Sequence, residues 1–368
     1  SKMKILYNHQ VFHQKYGGVA RYFVELANNI ALYKNKEATV KIISPFFKTD
    51  YLSNNNRNFL FSGLKVPDFK GSARLCLLMN SFLSPILSKH YDPNIIHDTY
   101  YNAVKHNTRN TKKIITVYDM THELFPDQFP KKDKTTELKK FAVAEADHII
   151  CISNNTKKDL INFFNVDINK TSVIHCGFSL GTKEIKNPEK TNKPYLLYVG
   201  SRTGYKNFTR FIEAYSTPKI KNFFDLVIFG GSRLNEKEIA LLDSLQISKE
   251  CIKQVNADDA TLAGYYKNAS LFVYPTLYEG FGFPPLEAMN LGCPVVCSNA
   301  GSIPEVVGNA ALLFDPYSVD SIRDNIINVL YDNSLSSSLI LKGFEQVKKF
   351  SWEKCARETY NIYKKVLI

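Results

Sequence analysis

Glu279 and Glu287 bracket the run Gly-Phe-Gly-Phe-Pro-Pro-Leu. Gly280 and Gly282 let a backbone come close to a ligand, and Pro284 and Pro285 suit the first turn of a helix. A helix start presents unpaired N–H groups that hold an anion such as a diphosphate. Glu287 reads as part of that first turn, and two carboxylates beside an anion site can grip sugar hydroxyls. The same residues also fit a proline-started helix with solvated glutamates. Arg202 and Lys206 lie in a loop after the apolar run Leu196 to Val199. Arginine offers a planar fork to phosphate oxygens, and lysine adds a point charge. Fixed cations of this kind stabilise the charge that grows on a departing diphosphate, without a metal. The bland alternative is a pair of solvated loop charges.

Two weaker signals lie in the first half. Gly17-Gly18 joins a strand-like run to a helical pattern, without the rest of a Walker motif. It fits a phosphate-approach loop or a plain tight turn. Thr116-Val-Tyr-Asp-Met-Thr-His-Glu-Leu-Phe-Pro126 starts as a strand and ends as a polar loop. Tyr118 and Asp119 are its candidates for touching a sugar or acceptor, and His122 reads first as a loop histidine. His9, His13, His97 and His175 have no metal-ligand spacing, and no Asp-x-Asp motif occurs. No metal or cofactor is expected.

These residues need strands and helices to hold them. Strand runs are predicted at 3–7, 39–44, 94–97, 113–118, 148–152 and 172–175, with helices at 18–33, 72–89, 134–145 and 154–164. In the second half strands are predicted at 195–199, 224–229, 252–255, 270–274, 294–297 and 311–314. Helices are predicted there at 206–215, 235–246, 259–268, 284–291, 319–331 and 335–349. Such alternation implies parallel sheets covered on both faces. The polar, aperiodic stretch 179–193 reads as a linker. The expected division is therefore 1–178, linker 179–193 and 194–350. A helix over 351–368 either closes the second domain or returns to the first. Ligands of parallel sheets bind at the strand C-terminal ends, so the expected site is a cleft between two domains.

The 368 residues suit two domains. The net charge of +12 favours anionic partners, or is simply a solubilising surface. A nucleic-acid protein is disfavoured, because no basic run is interleaved with aromatics. Seven cysteines without a CxxC pair argue for a reducing compartment and against a zinc site or disulfide framework. No apolar stretch approaches about 18 residues, and with a strand-like run already at Met3 no signal peptide is expected. The expectation is a cytoplasmic protein, with peripheral membrane contact as an open option.

The segment from Glu279 to Glu287 resembles the signature of the large retaining glycosyltransferase family 4, of GT-B fold. Other runs resemble the family in order and spacing: Gly17-Gly-Val-Ala-Arg-Tyr22, Tyr198-Val-Gly-Ser-Arg-Thr-Gly-Tyr-Lys-Asn207, Ala269-Ser-Leu-Phe-Val-Tyr-Pro-Thr276, Gly292-Cys-Pro-Val-Val-Cys297 and Gly301-Ser-Ile-Pro-Glu-Val-Val-Gly308. The resemblance implies two Rossmann-like α/β domains whose parallel sheets face a central cleft, and a nucleotide-diphosphate sugar as co-substrate. It implies that Glu279 contacts the donor sugar, that Glu287 binds the ribose, and that the backbone of Phe281, Gly282 and Phe283 lines sugar and phosphate. Gly18 would lie over the phosphate and Gly230 beside the nucleotide. Val255 is a candidate to hold the base by its main chain. Many relatives carry histidine where Tyr118 stands, and that role does not transfer to His122. The pattern looks closest to bacterial-type mannosyltransferases of polysaccharide assembly. A GDP-sugar, best GDP-mannose, is the expected donor and a UDP-hexose the runner-up. A glycan or lipid-linked glycan is the expected acceptor. A nucleotide-sugar epimerase and a noncatalytic nucleotide-sugar-binding module are the other classes in view.

Overall fold

A computed structural model describes residues 2–15, 17–53, 57–105 and 110–368. The chain divides into two units, Ser1–Gly177 with Phe350–Ile368, and Phe178–Lys349.

The first unit runs β1 (Met3–Tyr7), α1 (Gly18–Tyr33), β2 (Ala38–Phe47), β3 (Leu60–Lys65), α2 (Ser72–Tyr91), β4 (Ile95–Asp98), β5 (Lys112–Val117), α3 (Thr121–Leu124), α4 (Thr135–Glu145), β6 (His148–Cys151), α5 (Asn154–Phe164) and β7 (Thr171–Val173). Its sheet is ordered β3-β2-β1-β4-β5-β6-β7, with every pairing parallel. Ile5, Ile43, Ile95, Ile114 and Ile149 on the inner strands are fully buried, as a sheet covered on both faces requires. β3 escaped the sequence reading because it is an edge strand with no buried residue, so it carries no hydrophobic signature.

The second unit runs β8 (Tyr195–Val199), α6 (Phe208–Tyr215), α7 (Pro218–Lys221), β9 (Asp225–Phe229), α8 (Glu236–Ser244), β10 (Ile252–Val255), α9 (Asp259–Asn268), β11 (Leu271–Tyr274), α10 (Phe283–Asn290), β12 (Val295–Ser298), α11 (Ile303–Val307), β13 (Leu312–Phe314), α12 (Val319–Tyr331) and α13 (Asn333–Val347). Its sheet is ordered β10-β9-β8-β11-β12-β13, again parallel. Leu196, Phe211, Ile228, Val273 and Ile326 form part of one continuous core. Polar N-caps set the helix starts: Asp258 accepts from Thr261 N, and Asn235 with Glu238 forms a capping box on α8.

The stretch 179–193 is bound to this second unit. Lys186 N donates to Ala260 O at 3.0 Å, and the Lys186 ammonium pairs with Asp258. The last helix, α14 (Trp352–Val366), belongs to the first unit. Its Tyr363 hydroxyl lies 3.1 Å from that of Tyr7 on β1 and 2.5 Å from Nδ1 of His97 on β4. All seven cysteines are free thiols, six of them buried. Among the described residues no helix is long and apolar enough to cross a membrane.

Candidate active site

In the second unit the strand order reverses between β8 and β11. Loops leaving the two strands turn to opposite sides there and open a crevice at the strand C-terminal ends. Hydrogen bonds stitch these loops together. Leu277 N donates to Tyr205 O at 2.7 Å. The Asn207 amide donates to the carbonyls of Pro275 (2.9 Å) and Pro316 (2.7 Å).

The stitching brings Lys206 onto Glu279, with Nζ and Oε1 2.5 Å apart and side chains only 22% and 17% exposed. The Thr276 hydroxyl lies 3.0 Å from the same oxygen. Burial pulls the Lys206 pKa down, but Glu279 and Tyr205 outweigh it, so the ammonium titrates above its usual value. Burial, reinforced by Glu279, keeps the Tyr274 phenol protonated. Glu279 itself is held through its backbone. The buried Ser302 hydroxyl reaches Glu279 O at 2.7 Å and Phe281 O at 3.0 Å. Gly301 has φ 57°, and a Cβ on it would stand 3.2 Å from both N and O of Glu279.

Gly282 (φ 100°) caps α10 with no side chain bonded to the first turn. A helix leaves its first four N–H groups unpaired, and Pro284 and Pro285 supply none. The remaining donors are therefore those of Gly282 and Phe283, beside Lys206 and Glu279 in the same pair of loops. Glu287 is a correction. The helix begins at Phe283, so Glu287 is its fifth residue and stands in the second turn, where the Tyr266 hydroxyl lies 3.1 Å from its Oε2.

Arg202 is engaged by its neighbours rather than left as a solvated loop charge. Its Nε meets Glu238 Oε1 at 2.8 Å, and Nη2 donates to Ser232 O at 2.7 Å and also reaches Glu238. Nη1 alone is buried without a hydrogen-bond partner. Gly230 N donates to Val255 O at 2.8 Å, so that carbonyl already joins the ends of β9 and β10.

The first unit has its own reversal, between β1 and β4. Asn8 bridges it: its amide donates to Asp98 and its side-chain oxygen accepts from Thr99 N at 2.9 Å. Asp98 is fully buried and paired with Lys113 at 3.1 Å. Beside this lies a cavity of about 270 Å³ lined by Gln10, His13, Gln14, Gly17, Gly18 and Tyr100. Gly18 opens α1, and no atom stands within 4 Å of where its Cβ would be. Burial lowers the pKa of His13.

Tyr118 stacks near Tyr100, ring centroids 6.4 Å apart, and donates its hydroxyl to Thr99 O at 3.2 Å. Asp119 Oδ1 accepts from Thr121 N at 3.0 Å, and its carbonyl accepts from Lys139 at 2.9 Å. Lys139 is paired with Glu123 at 2.7 Å, with both side chains almost wholly buried. His122 stacks on Phe129 at 3.8 Å and lies 3.5 Å from Asp133.

Within the second unit, then, Glu279, Lys206 and the Phe281–Phe283 backbone come together. Within the first, Gly18 and Tyr118 come together around Tyr100. Sequence reading missed Thr276, Ser302, Asn207 and the Lys139–Glu123 pair. Thr276, Ser302 and Asn207 do stand in runs that carry the family resemblance, but their job depends on which loop they meet. Among the described residues no group of three or more His, Cys, Asp or Glu could hold a metal ion.

The comparisons with known proteins bear on both units. The model of "Glycosyltransferase Family 4" matches residues 16–181, and that of "Glycosyl transferases group 1" matches residues 181–346. O-antigen chain mannosyltransferase B of Escherichia coli is 27% identical over 98% of this chain and 100% of its own length. O-antigen chain mannosyltransferase RfbU of Salmonella typhimurium is 30% identical over 58% of this chain and 60% of its own length. Among solved structures, sucrose-phosphate synthase from Thermosynechococcus elongatus superposes with a TM-score of 0.74 at 19% identity, over 99% of both chains. Anabaena HepE, in complex with UDP and glucose, superposes at 0.67 and 16% identity, over 99% of this chain and 100% of its own. At those identities the structures establish the GT-B fold. With each half matched by a glycosyltransferase model and a mannosyltransferase aligned from end to end, the chain belongs to the family 4 glycosyltransferases.

Proposed function

We propose that this glycosyltransferase moves mannose from GDP-mannose to a growing glycan or lipid-linked glycan, with retention at the anomeric carbon and without a metal ion. The observation that carries the reading is the Lys206–Glu279 pair, 2.5 Å long, beside the uncapped start of α10. The mannose assignment leans on the O-antigen mannosyltransferases similar to this chain.

In this reading the diphosphate sits on the N–H groups of Gly282 and Phe283. Lys206 and the spare Nη1 of Arg202 meet the negative charge that builds as the sugar–phosphate bond breaks. Glu279 orients the sugar hydroxyls, and its attraction keeps Lys206 charged. Glu287 takes the ribose, while the turn at Gly230 and Val255 borders the base. Gly18, Tyr118 and Asp119 serve the sugar and acceptor from the first unit. The departing phosphate oxygen accepts the proton of the attacking hydroxyl on the same face. No acid–base carboxylate pair of the glycosidase kind is then needed.

The test is incubation with a panel of GDP- and UDP-sugars plus a lipid-linked glycan acceptor, with and without EDTA, and NMR of the new linkage. Transfer from GDP-mannose in EDTA, with an α-linked product, is expected. Transfer from UDP-hexose alone overturns the donor assignment, and a β-linked product overturns retention. Loss in EDTA restored by magnesium overturns metal independence. Epimer formation, or binding without product, removes the transferase reading altogether.

A further inference from the structure

Helix α2 is turned inside out. Its buried positions are Ser72, Cys76, Asn80 and Ser84, one per turn, and they face β2. Asn80 makes the attachment specific. Its side-chain amide and oxygen bond the O and N of Phe46, both at 2.8 Å, where the pairing of β2 with β3 shifts register. The apolar residues point away from the sheet. Leu75, Leu78, Phe82 and Ile86 follow one another at helical spacing on a single face, and Phe82 and Ile86 are 68% and 66% exposed. A contiguous apolar face of this kind on a folded unit marks an interaction surface.

Charge decides between occupants. From Phe69 to Tyr91 the chain contains no aspartate or glutamate, while Lys70 and Arg74 stand at one end of the helix and Lys89 and His90 at the other. Lys89 continues the row of Phe82 and Ile86. A second copy packed on this face, parallel or antiparallel, would bring cations against cations with no acid on the helix to neutralise them. An anionic lipid surface answers both features. Acyl chains take the apolar row, and headgroups take the cations at its ends. We propose that α2 is a membrane-surface helix that lays its Leu75–Ile86 face into an anionic bilayer. This goes beyond the transferase reading and does not rest on it, since docking needs neither donor nor acceptor.

The experiment is co-sedimentation of the full chain with vesicles of equal parts phosphatidylglycerol and phosphatidylcholine, and with phosphatidylcholine alone. Sedimentation velocity of the free protein is run alongside. Phe82→Ser/Ile86→Ser is the apolar variant and Arg74→Gln/Lys89→Gln the charge variant. Both alter exposed side chains, and thermal melting checks that they fold. Expected are binding to anionic vesicles that weakens with salt, a drop of at least about tenfold in partitioning for each variant, and a monomer that neither variant changes. No binding, equal binding to neutral vesicles, or binding that Phe82→Ser/Ile86→Ser leaves intact overturns the proposal. So does a wild-type dimer that the apolar variant dissociates, which would assign the face to a second copy.

Discussion

Replacing the two ends of the Lys206–Glu279 pair, singly and together, separates what the pair does for the fold from what it does for the chemistry. At 2.5 Å and an effective dielectric constant of about 20, the attraction is roughly 6–7 kcal/mol. Most of it is returned as the cost of taking two charges largely out of water. Removing one partner leaves the other charge three-quarters or more buried and uncompensated. Lys206→Met should therefore cost about 2–3 kcal/mol, somewhat below the range for fully buried pairs, because both side chains keep some exposure. Glu279→Gln keeps the shape and the Thr276 contact, and should cost about 1–2 kcal/mol. The double variant leaves no orphaned charge, so it should cost about 2 kcal/mol rather than the sum, a coupling of roughly 2 kcal/mol. Urea unfolding of the four proteins measures this. Transfer rates should behave differently. Each single variant should lose about 10²–10³ in kcat, the usual cost of one group aimed at transition-state charge, and the double variant should recover none of it. Additive unfolding costs would refute the pairing argument. A double variant that regains its rate would show that the two residues only hold the loops in place.

Ser302→Ala removes the hydroxyl that ties Glu279 O and Phe281 O. It should cost about 1–2 kcal/mol in unfolding and lower kcat about tenfold through displacement of Glu279; wild-type turnover would show that the loop holds itself. The second prediction concerns pH. Burial, opposed in part by Asp98, lowers the His97 pKa to about 3. The folded state thus prefers the neutral ring, a contribution complete above the unfolded pKa near 6.5 and lost as pH falls from there toward 3. Between pH 7 and pH 5 the loss from this group is about 2 kcal/mol. Urea titrations of the wild type and His97→Asn at both pH values should show a smaller pH dependence in the variant, and an equal dependence would refute the assignment.

The alternation of strand and helix was legible because strands buried on both faces must be apolar runs, and the helices between them must show period and caps. α1, α5, α9 and α12 fall where that logic puts them. β3 was not legible, because an exposed edge strand needs no apolar pattern. α3, α7 and α11 are one or two turns long, too short for a period to register. At the site, the glycines, prolines and Glu279 announced themselves by type and spacing. Local reading misplaced Glu287 by one residue, enough to move it from the first turn to the second, since it began α10 after Phe283 rather than at it.

By itself the sequence determined most of the segments that form parallel strands, the start of a proline-led helix after Gly282 to within one residue, and which residue types could meet a diphosphate and a sugar. Each of these follows from backbone and side-chain chemistry within a few residues. Only the tertiary structure decided which charges meet. Lys206 pairs with Glu279, 73 positions away, because β8 and β11 are neighbours in the sheet. Arg202 turns its Nε and Nη2 to Glu238, 36 positions away on α8, which starts beyond the β9 loop. The same holds for α2: its helical pattern alone does not say that the sheet takes the small polar stripe and leaves the apolar residues exposed. Pairing across such distances is set by strand order and packing, and no local pattern of residues encodes it.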